Sequence, residues 1–141
     1  MGKGPLARTD GLVTEEIDED LLVYDGRRDF AFRLNSTAAL VWRSCDGTRT
    51  VGDLLAVLTG ELGDLANEDM VLMALDELAE HDLIVSGYEQ REFEAIRLSR
   101  RRFFRSAGVA GAAAVAAPLV YSMIVPTSAA AATALSPIPS G

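Results

Sequence analysis

The stretch LNSTAALVWRSCDGTRT, residues 34–50, decides the fold of this 141-residue chain. Asn35 or Ser36 can cap a helix there, because short polar side chains accept hydrogen bonds from the first unpaired backbone amides of a helix. Apolar residues then recur at helical spacing as far as Cys45. Gly47 comes next, in the position where a left-handed residue commonly ends a helix. The stretch therefore predicts one short helix with its apolar side chains in a core.

Two further helices are predicted downstream. Thr50 caps the second helix, with Asp53 three residues later in a capping-box arrangement, and Gly63 marks its end. The third helix begins at Asn67, since the acidic residues after it favour the positive end of a helix dipole. The inward stripes of these two helices consist of Val51, Leu54, Leu55, Leu58 and Leu62, and of Val71, Ala74, Leu75 and Leu78.

The residues before the first helix have the patterns of β-strands. A weak candidate covers residues 11–17, a stronger one covers 21–24, and a third covers 30–34, with an Asp-Gly hairpin signal at Asp25. In the third strand, alternation places Phe30, Phe32 and Leu34 on one face and Ala31 and Arg33 on the other. Three antiparallel strands followed by three helices predict a small α+β domain of winged-helix type.

Charge divides the chain into unlike parts. Residues 1–90 carry 7 Lys and Arg against 19 Asp and Glu, residues 91–141 carry 6 Arg against 2 Glu, and no residue from 107 onwards is charged. We predict a disordered N-terminus over residues 1–10, a domain over 11–86, a basic connector over 87–106, an apolar helix over 107–126 and a disordered tail over 127–141.

The composition argues against several classes of function. With one cysteine, Cys45, and one histidine, His81, the chain can form neither an internal disulfide nor a Cys/His zinc cluster. Cys45 is predicted to be a core residue with Trp42, and its neighbour Asp46 disfavours a thiolate. The acidic domain would be repelled by nucleic-acid phosphates. We therefore predict no catalytic site, no cofactor, no metal and no nucleic-acid partner.

Several motifs at fixed spacing resemble one family. They are Leu34-Asn35-x-Thr37-Ala38-Ala39-x-Val41-Trp42, Cys45-Asp46-Gly47-Thr48-Arg49-Thr50-Val51, Leu72-x-x-Leu75-x-x-Leu78 and His81-Asp82-Leu83-Ile84. Together they resemble the PqqD family, the small pyrroloquinoline quinone synthesis proteins and their relatives, over roughly residues 10–85.

The resemblance implies a peptide-binding module. Such domains bind the leader of a ribosomally made precursor peptide and present its core to a modifying enzyme, often a radical SAM protein. The leader adds as a strand to the third strand and lies against the third helix, a mode in which backbone hydrogen bonds supply affinity. Mapped onto this sequence, the predicted groove consists of Phe30, Ala31, Phe32, Arg33 and Leu34 on the strand and of Met70, Met73, Ala74 and Glu77 on the helix.

A second motif opens the apolar tail. Residues 99–105, SRRRFFR, resemble a twin-arginine export motif at Ser99, Arg100, Arg101 and Phe103. Three interpretations are open for the tail itself. Residues 107–126 are long enough for a membrane anchor, with the preceding arginines on the cytoplasmic side. Alternatively, the tail is a precursor-like peptide fused to its recognition domain, or it is a soluble extension.

The favoured interpretation is a bacterial, non-catalytic peptide chaperone, attached to the inner membrane by its tail with the domain in the cytoplasm. Its expected partners are a precursor leader peptide, a modifying enzyme such as a radical SAM protein, and the membrane. The alternative is a membrane-tethered interaction or assembly module of the same fold with no role in peptide modification.

Overall fold

A computed structural model describes residues 4–89, 91–106 and 117–124 of the chain. The strands are β1 (Leu6–Ala7), β2 (Leu12–Ile17), β3 (Asp20–Asp25), β4 (Phe30–Leu34), β5 (Ile84–Ser86) and β6 (Val120–Ile124). The helices are α1 (Ser36–Ser44), α2 (Val51–Leu62), α3 (Glu68–Glu80) and α4 (Phe93–Ser106), with a short 3₁₀ turn at Gly63–Leu65.

The strands form two antiparallel sheets. The larger has the order β2-β3-β4-β6, so β4 lies between β3 and the C-terminal strand, and the smaller is the ribbon β1-β5. Three helices follow the first four strands along the chain, which confirms the predicted α+β class with strands before helices. The winged-helix assignment within that class stays a prediction.

The predicted helix caps are present in the structure. Asn35 Oδ1 accepts a hydrogen bond of 3.0 Å from the backbone N–H of Ala38. Thr50 and Asp53 form the reciprocal capping box, with bonds of 3.2 and 2.9 Å, and Asn67 caps α3. Each cap satisfies backbone donors that a helix leaves unpaired at its start. Local sequence chemistry therefore fixes where α1, α2 and α3 begin.

The core fills the space between the larger sheet and helices α1, α2 and α3. Trp42 is 6 % and Cys45 is 3 % exposed, which confirms that both are core residues. The indole N–H of Trp42 donates a hydrogen bond of 2.9 Å to the backbone oxygen of Leu83. That bond joins α1 to the loop between α3 and β5, and it gives the indole N–H of a buried ring a hydrogen-bond partner.

The prediction of a disordered N-terminus through residue 10 is wrong for the described residues 4–10. Leu6 and Ala7 pair with β5, and Arg8 reaches into the core, where its guanidinium makes two hydrogen bonds with Asp25. Asp25 is completely buried. Because the segment lacks a periodic apolar pattern, no local signal indicates the buried ion pair and the two-residue strand that hold it.

The prediction for the C-terminal part also needs correction. The basic connector, 87–106, contains α4, which packs along α3. The apolar helix, 107–126, is wrong for residues 120–124, which form strand β6; residues 107–116 and 125–126 lie outside the described residues, as does the tail, 127–141. Within the described ranges, no helix has both the length and the hydropathy to span a membrane.

Candidate peptide-binding site

The strand half of the predicted groove is occupied by a segment of the same chain. Strand β6 pairs antiparallel with β4 over five positions, from Phe30 opposite Ile124 to Leu34 opposite Val120. Val120 is partly buried against the core, whereas Tyr121, opposite Arg33, is 50 % exposed. The edge of β4 therefore holds an extended segment in a single register, with Val120 against the core and Tyr121, Ser122 and Met123 exposed to solvent.

Asn35 extends this pairing by one position beyond the strand. Its backbone N–H donates to the carbonyl oxygen of Leu119 at 3.0 Å, and its side-chain oxygen accepts from the Leu119 N–H at 3.0 Å. The amide nitrogen Nδ2 donates to the carbonyl oxygen of Ala117 at 2.7 Å. Asn35 thus both caps α1 and holds the backbone of the incoming segment at three points.

The helix half of the predicted groove lies in the packed interior. Met70, Met73 and Ala74 are at most 1 % exposed and belong to the main core. The sequence places these side chains on α3 as predicted, but they do not form an open wall, because α4 packs along α3. The structure brings together α3, α4 and the start of β6 on this side.

Glu77 connects these three elements. Its carboxylate accepts a hydrogen bond of 2.8 Å from Arg100 on α4, and the backbone N–H of Val120 also favours its charged form. Burial is the larger influence and raises the pKa of Glu77 above its ordinary value. The other carboxylate oxygen, Oε2, is buried without a hydrogen-bond partner among the described residues. The charge of Glu77 is therefore only partly compensated.

Helix α4 and the residues just before it are attached to α3 by ion pairs and by one buried ring. Asp76, which is 2 % exposed, accepts hydrogen bonds from Arg91 at 2.6 Å and from the hydroxyl of Tyr88. Arg102 forms two bonds with Asp69, at 2.6 and 2.8 Å. Phe103 is completely buried in the main core. These contacts make α4 part of the fold.

The twin-arginine-like residues lie in this packed helix. Ser99 is 3 % exposed and accepts a hydrogen bond of 2.7 Å from Arg91, Arg100 bonds to Glu77, and Phe103 is buried. Arg101 is exposed. Three of the four motif residues therefore have structural contacts within this domain, and their spacing is explained by packing along one helix face.

Charged side chains beside the strand half are already paired. Arg33 forms a hydrogen bond of 2.7 Å with Asp20 on β3, so the charge of this strand residue is paired within the sheet. Glu77 is paired with Arg100. The segment at this site is held by backbone hydrogen bonds and apolar packing, which suits an uncharged extended peptide.

Sequence reasoning missed three contributors to the site. These are Asn35 as a holder of the peptide backbone, Asp76 as the anchor of α4, and β6 itself. For β6 a signal was present, because Val120 to Ile124 combines β-branched and aromatic residues after a proline. Among the described residues, no group of three or more His, Cys, Asp or Glu side chains could hold a metal ion.

Residues 20–84 match the family model of coenzyme PQQ synthesis protein D (PqqD). The match supports the predicted resemblance for this segment, which is a little less than half of the chain. It runs from β3 to the start of β5 and so includes both β4 and α3, whereas α4 and β6 lie outside it. Comparisons with curated proteins and with solved structures gave no significant match.

Cys45 is expected to be chemically inert. Burial, followed by the nearby charge of Asp46, raises the pKa of its thiol to about 12, and its sulfur lies 3.1 Å from the backbone oxygen of Val41 as a donor. Because the thiolate is the reactive form, iodoacetamide at pH 8 should alkylate the folded protein at least about 100-fold more slowly than the urea-unfolded protein. Comparable rates in the two states, measured by intact mass, would contradict this assignment.

Proposed function

We propose that this protein is a non-catalytic peptide-binding module that takes an extended peptide onto the edge of β4. The observation that supports this most directly is the five-residue ladder between β4 and β6, in which that edge holds a peptide strand. Binding by strand addition draws its affinity from backbone hydrogen bonds and its selectivity from alternate side chains.

The PqqD match indicates what kind of peptide and what kind of partner enzyme the module would bind. Members of that family bind precursor peptides and partner enzymes and have no catalytic role of their own. We infer that the peptide is the leader of a ribosomally made precursor and that the partner is its modifying enzyme, of the radical SAM class. Membrane attachment through residues 107–126 has no part in this proposal, because β6 takes five of those residues into the sheet.

Titration of the full chain with a separate peptide tests the proposal. The probe is a synthetic peptide with the sequence of residues 117–124, APLVYSMI, and the protein is the Tyr121→Pro variant, in which the chain's own strand is weakened. We expect saturable shifts of the backbone NMR signals of Phe30–Leu34. The matched control is the same peptide with its tyrosine replaced by proline. Unchanged signals with both peptides would contradict peptide binding at this edge.

A further inference from the structure

The occupied edge of β4 identifies a peptide partner more specifically than the family match does. We propose that the resident ligand of this edge is residues 117–124 of the same chain, so that a separate peptide binds only after this segment has left. This inference rests on the proposed function, and it adds that the recognition module and its peptide belong to one polypeptide.

The first support is the extent of the contact with the backbone of the segment. The ladder covers all five residues of β4, and Asn35 adds hydrogen bonds to Ala117 and Leu119. An asparagine side chain offers one acceptor and two donors, and here it uses both kinds of group on the same peptide. Contacts of this kind recognise an extended backbone, as a strand-addition site requires.

The second support is burial at the start of the segment. Ala117 is 3 % exposed and belongs to the main core, Pro118 is also buried, and Val120 packs against the core. The segment therefore buries apolar side chains in the domain in addition to extending its sheet. Burying these apolar groups stabilises the bound segment by removing them from water.

The third support is chemical complementarity. The bound segment has no charged side chain, and the charged groups beside it have partners of their own, Arg33 in Asp20 and Glu77, through one carboxylate oxygen, in Arg100. Leaving such groups paired avoids the cost of a buried charge without a partner. The edge therefore suits an uncharged extended peptide, and the chain supplies one.

The fourth support is the route by which the segment is tethered. Helix α4 precedes it and is fixed to α3 through Asp76, Glu77 and the buried Phe103. A ligand tethered in the same molecule has an effective concentration on the order of 1 mM. A separate peptide of equal intrinsic affinity therefore competes poorly at micromolar concentration.

Hydrogen exchange of the β4 amides tests the inference directly. Asn35 donates its N–H to Leu119, and hydrogen-bonded pairs alternate along an antiparallel ladder. The amides of Ala31 and Arg33 therefore face β6, whereas those of Phe32 and Leu34 face β3. In the full chain, Tyr121→Pro removes a donor at a hydrogen-bonded pair, and we expect exchange at Ala31 and Arg33 to accelerate at least about tenfold, with Phe32 and Leu34 unchanged.

The matched control is Tyr121→Thr, which keeps the N–H and the strand propensity and should leave exchange close to that of the wild type. A second variant, Asn35→Ser, keeps a good helix cap but loses the donor to Ala117, and we expect a several-fold acceleration at the same two amides. Equal exchange in the wild type and in Tyr121→Pro would overturn the inference, because the segment would then not protect the edge.

Competition with the labelled APLVYSMI peptide separates this inference from the proposed function. We expect binding to Tyr121→Pro to be at least about tenfold tighter than to the wild type or to Tyr121→Thr. Equal affinity of the peptide for all three proteins would overturn the inference and leave peptide binding intact. If the peptide bound to none of them while amide exchange changed as expected, only the proposed function would be overturned.

Sedimentation distinguishes a segment bound within one chain from a segment exchanged between two chains. We expect the wild type and the variants to be monomers. A wild-type dimer that dissociates in Tyr121→Pro would assign the bound segment to a second copy of the chain and overturn the inference.

Discussion

Asp25→Ala is expected to lower the free energy of unfolding by about 3–5 kcal/mol, since removing one partner of a buried ion pair leaves the other charge uncompensated. Arg8 and Asp25 form two hydrogen bonds, at 2.8 and 3.1 Å, and their side chains are 9 % and 0 % exposed. The same carboxylate accepts a bond of 3.0 Å from the backbone N–H of Arg27. Its loss therefore disconnects the N-terminal segment from the hairpin between β3 and β4.

Urea unfolding followed by Trp42 fluorescence measures this effect. The matched control is Asp10→Ala, which removes an exposed ion pair with Arg27 from the same neighbourhood and should cost less than about 1 kcal/mol. Replacing both partners, Arg8→Met with Asp25→Leu, should recover much of the lost stability, because an apolar pair has no charge to desolvate. Equal losses for Asp25→Ala and Asp10→Ala would show that the buried pair is not stabilising.

The pH dependence of this pair has a defined sign. The hydrogen bonds from Arg8 lower the pKa of Asp25 below its ordinary value, against the opposing effect of burial. A carboxylate with a lowered pKa contributes stability above its unfolded pKa, and this contribution is lost as the pH falls through the folded pKa. The difference in stability between the wild type and Asp25→Ala should therefore be constant near neutral pH and should shrink at acidic pH below the ordinary aspartate range of about 4.

The starts of α1, α2 and α3 were predictable because their causes are local. Asn35, Thr50 and Asn67 are caps that act within three residues of themselves, so short-range pattern suffices to find them. Strand β4 was also predictable from the alternation of Phe30, Phe32 and Leu34, and the structure buries Ala31 on the opposite face as well. Arg8 and Asp25 are 17 positions apart, and nothing in either one's neighbours indicates that they meet. Long-range pairing of polar groups is set by the fold as a whole.

The C-terminal part was predicted wrongly for a physical reason. The uncharged run after residue 106 has the composition of a weak membrane span, and composition alone does not distinguish burial in lipid from burial in protein. Its strand-forming portion, Val120–Ile124, follows a long alanine- and glycine-rich stretch, so the short β-prone sequence is hard to recognise within it. The missing information was that this segment pairs with the edge of β4, to which the sequence had assigned a separate leader peptide.

The predicted groove and the tail therefore concern one site. The predicted strand residues, Phe30–Leu34, form β4, and the sequence also raised a fused, precursor-like tail as one of three interpretations. Only the structure supplies the register that joins Phe30–Leu34 to Val120–Ile124 and the second role of Asn35. A cap residue at the end of an edge strand is well placed for such a role, because its side chain lies where the next paired residue would be.

Phe103→Ala should release α4 and β6 while the rest of the domain stays folded. Truncating a fully buried phenylalanine costs about 3–5 kcal/mol, and Phe103 is 0 % exposed. Because α4 lies outside the segment that matches PqqD, we expect the substitution to detach this helix from α3 and to destabilise the rest of the domain less. We expect amide exchange in α4 to accelerate about 100-fold or more, as local opening becomes cheaper, with a smaller change in the unfolding midpoint reported by Trp42.

The matched control for this prediction is Phe104→Ala. The rings of Phe104 and Phe103 pack edge to face, with their centroids 5.1 Å apart, and Phe104 is 38 % exposed. Its removal should therefore lower the free energy of unfolding by only about 1 kcal/mol. Arg100 on α4 donates a hydrogen bond to Glu77, and the backbone N–H of Val120 favours the charged form of the same carboxyl. We therefore expect the β4 amides that face β6, at Ala31 and Arg33, to lose protection in Phe103→Ala as well. Protection that persists at those two amides while α4 exchanges freely would show that the bound segment holds to β4 without its helix.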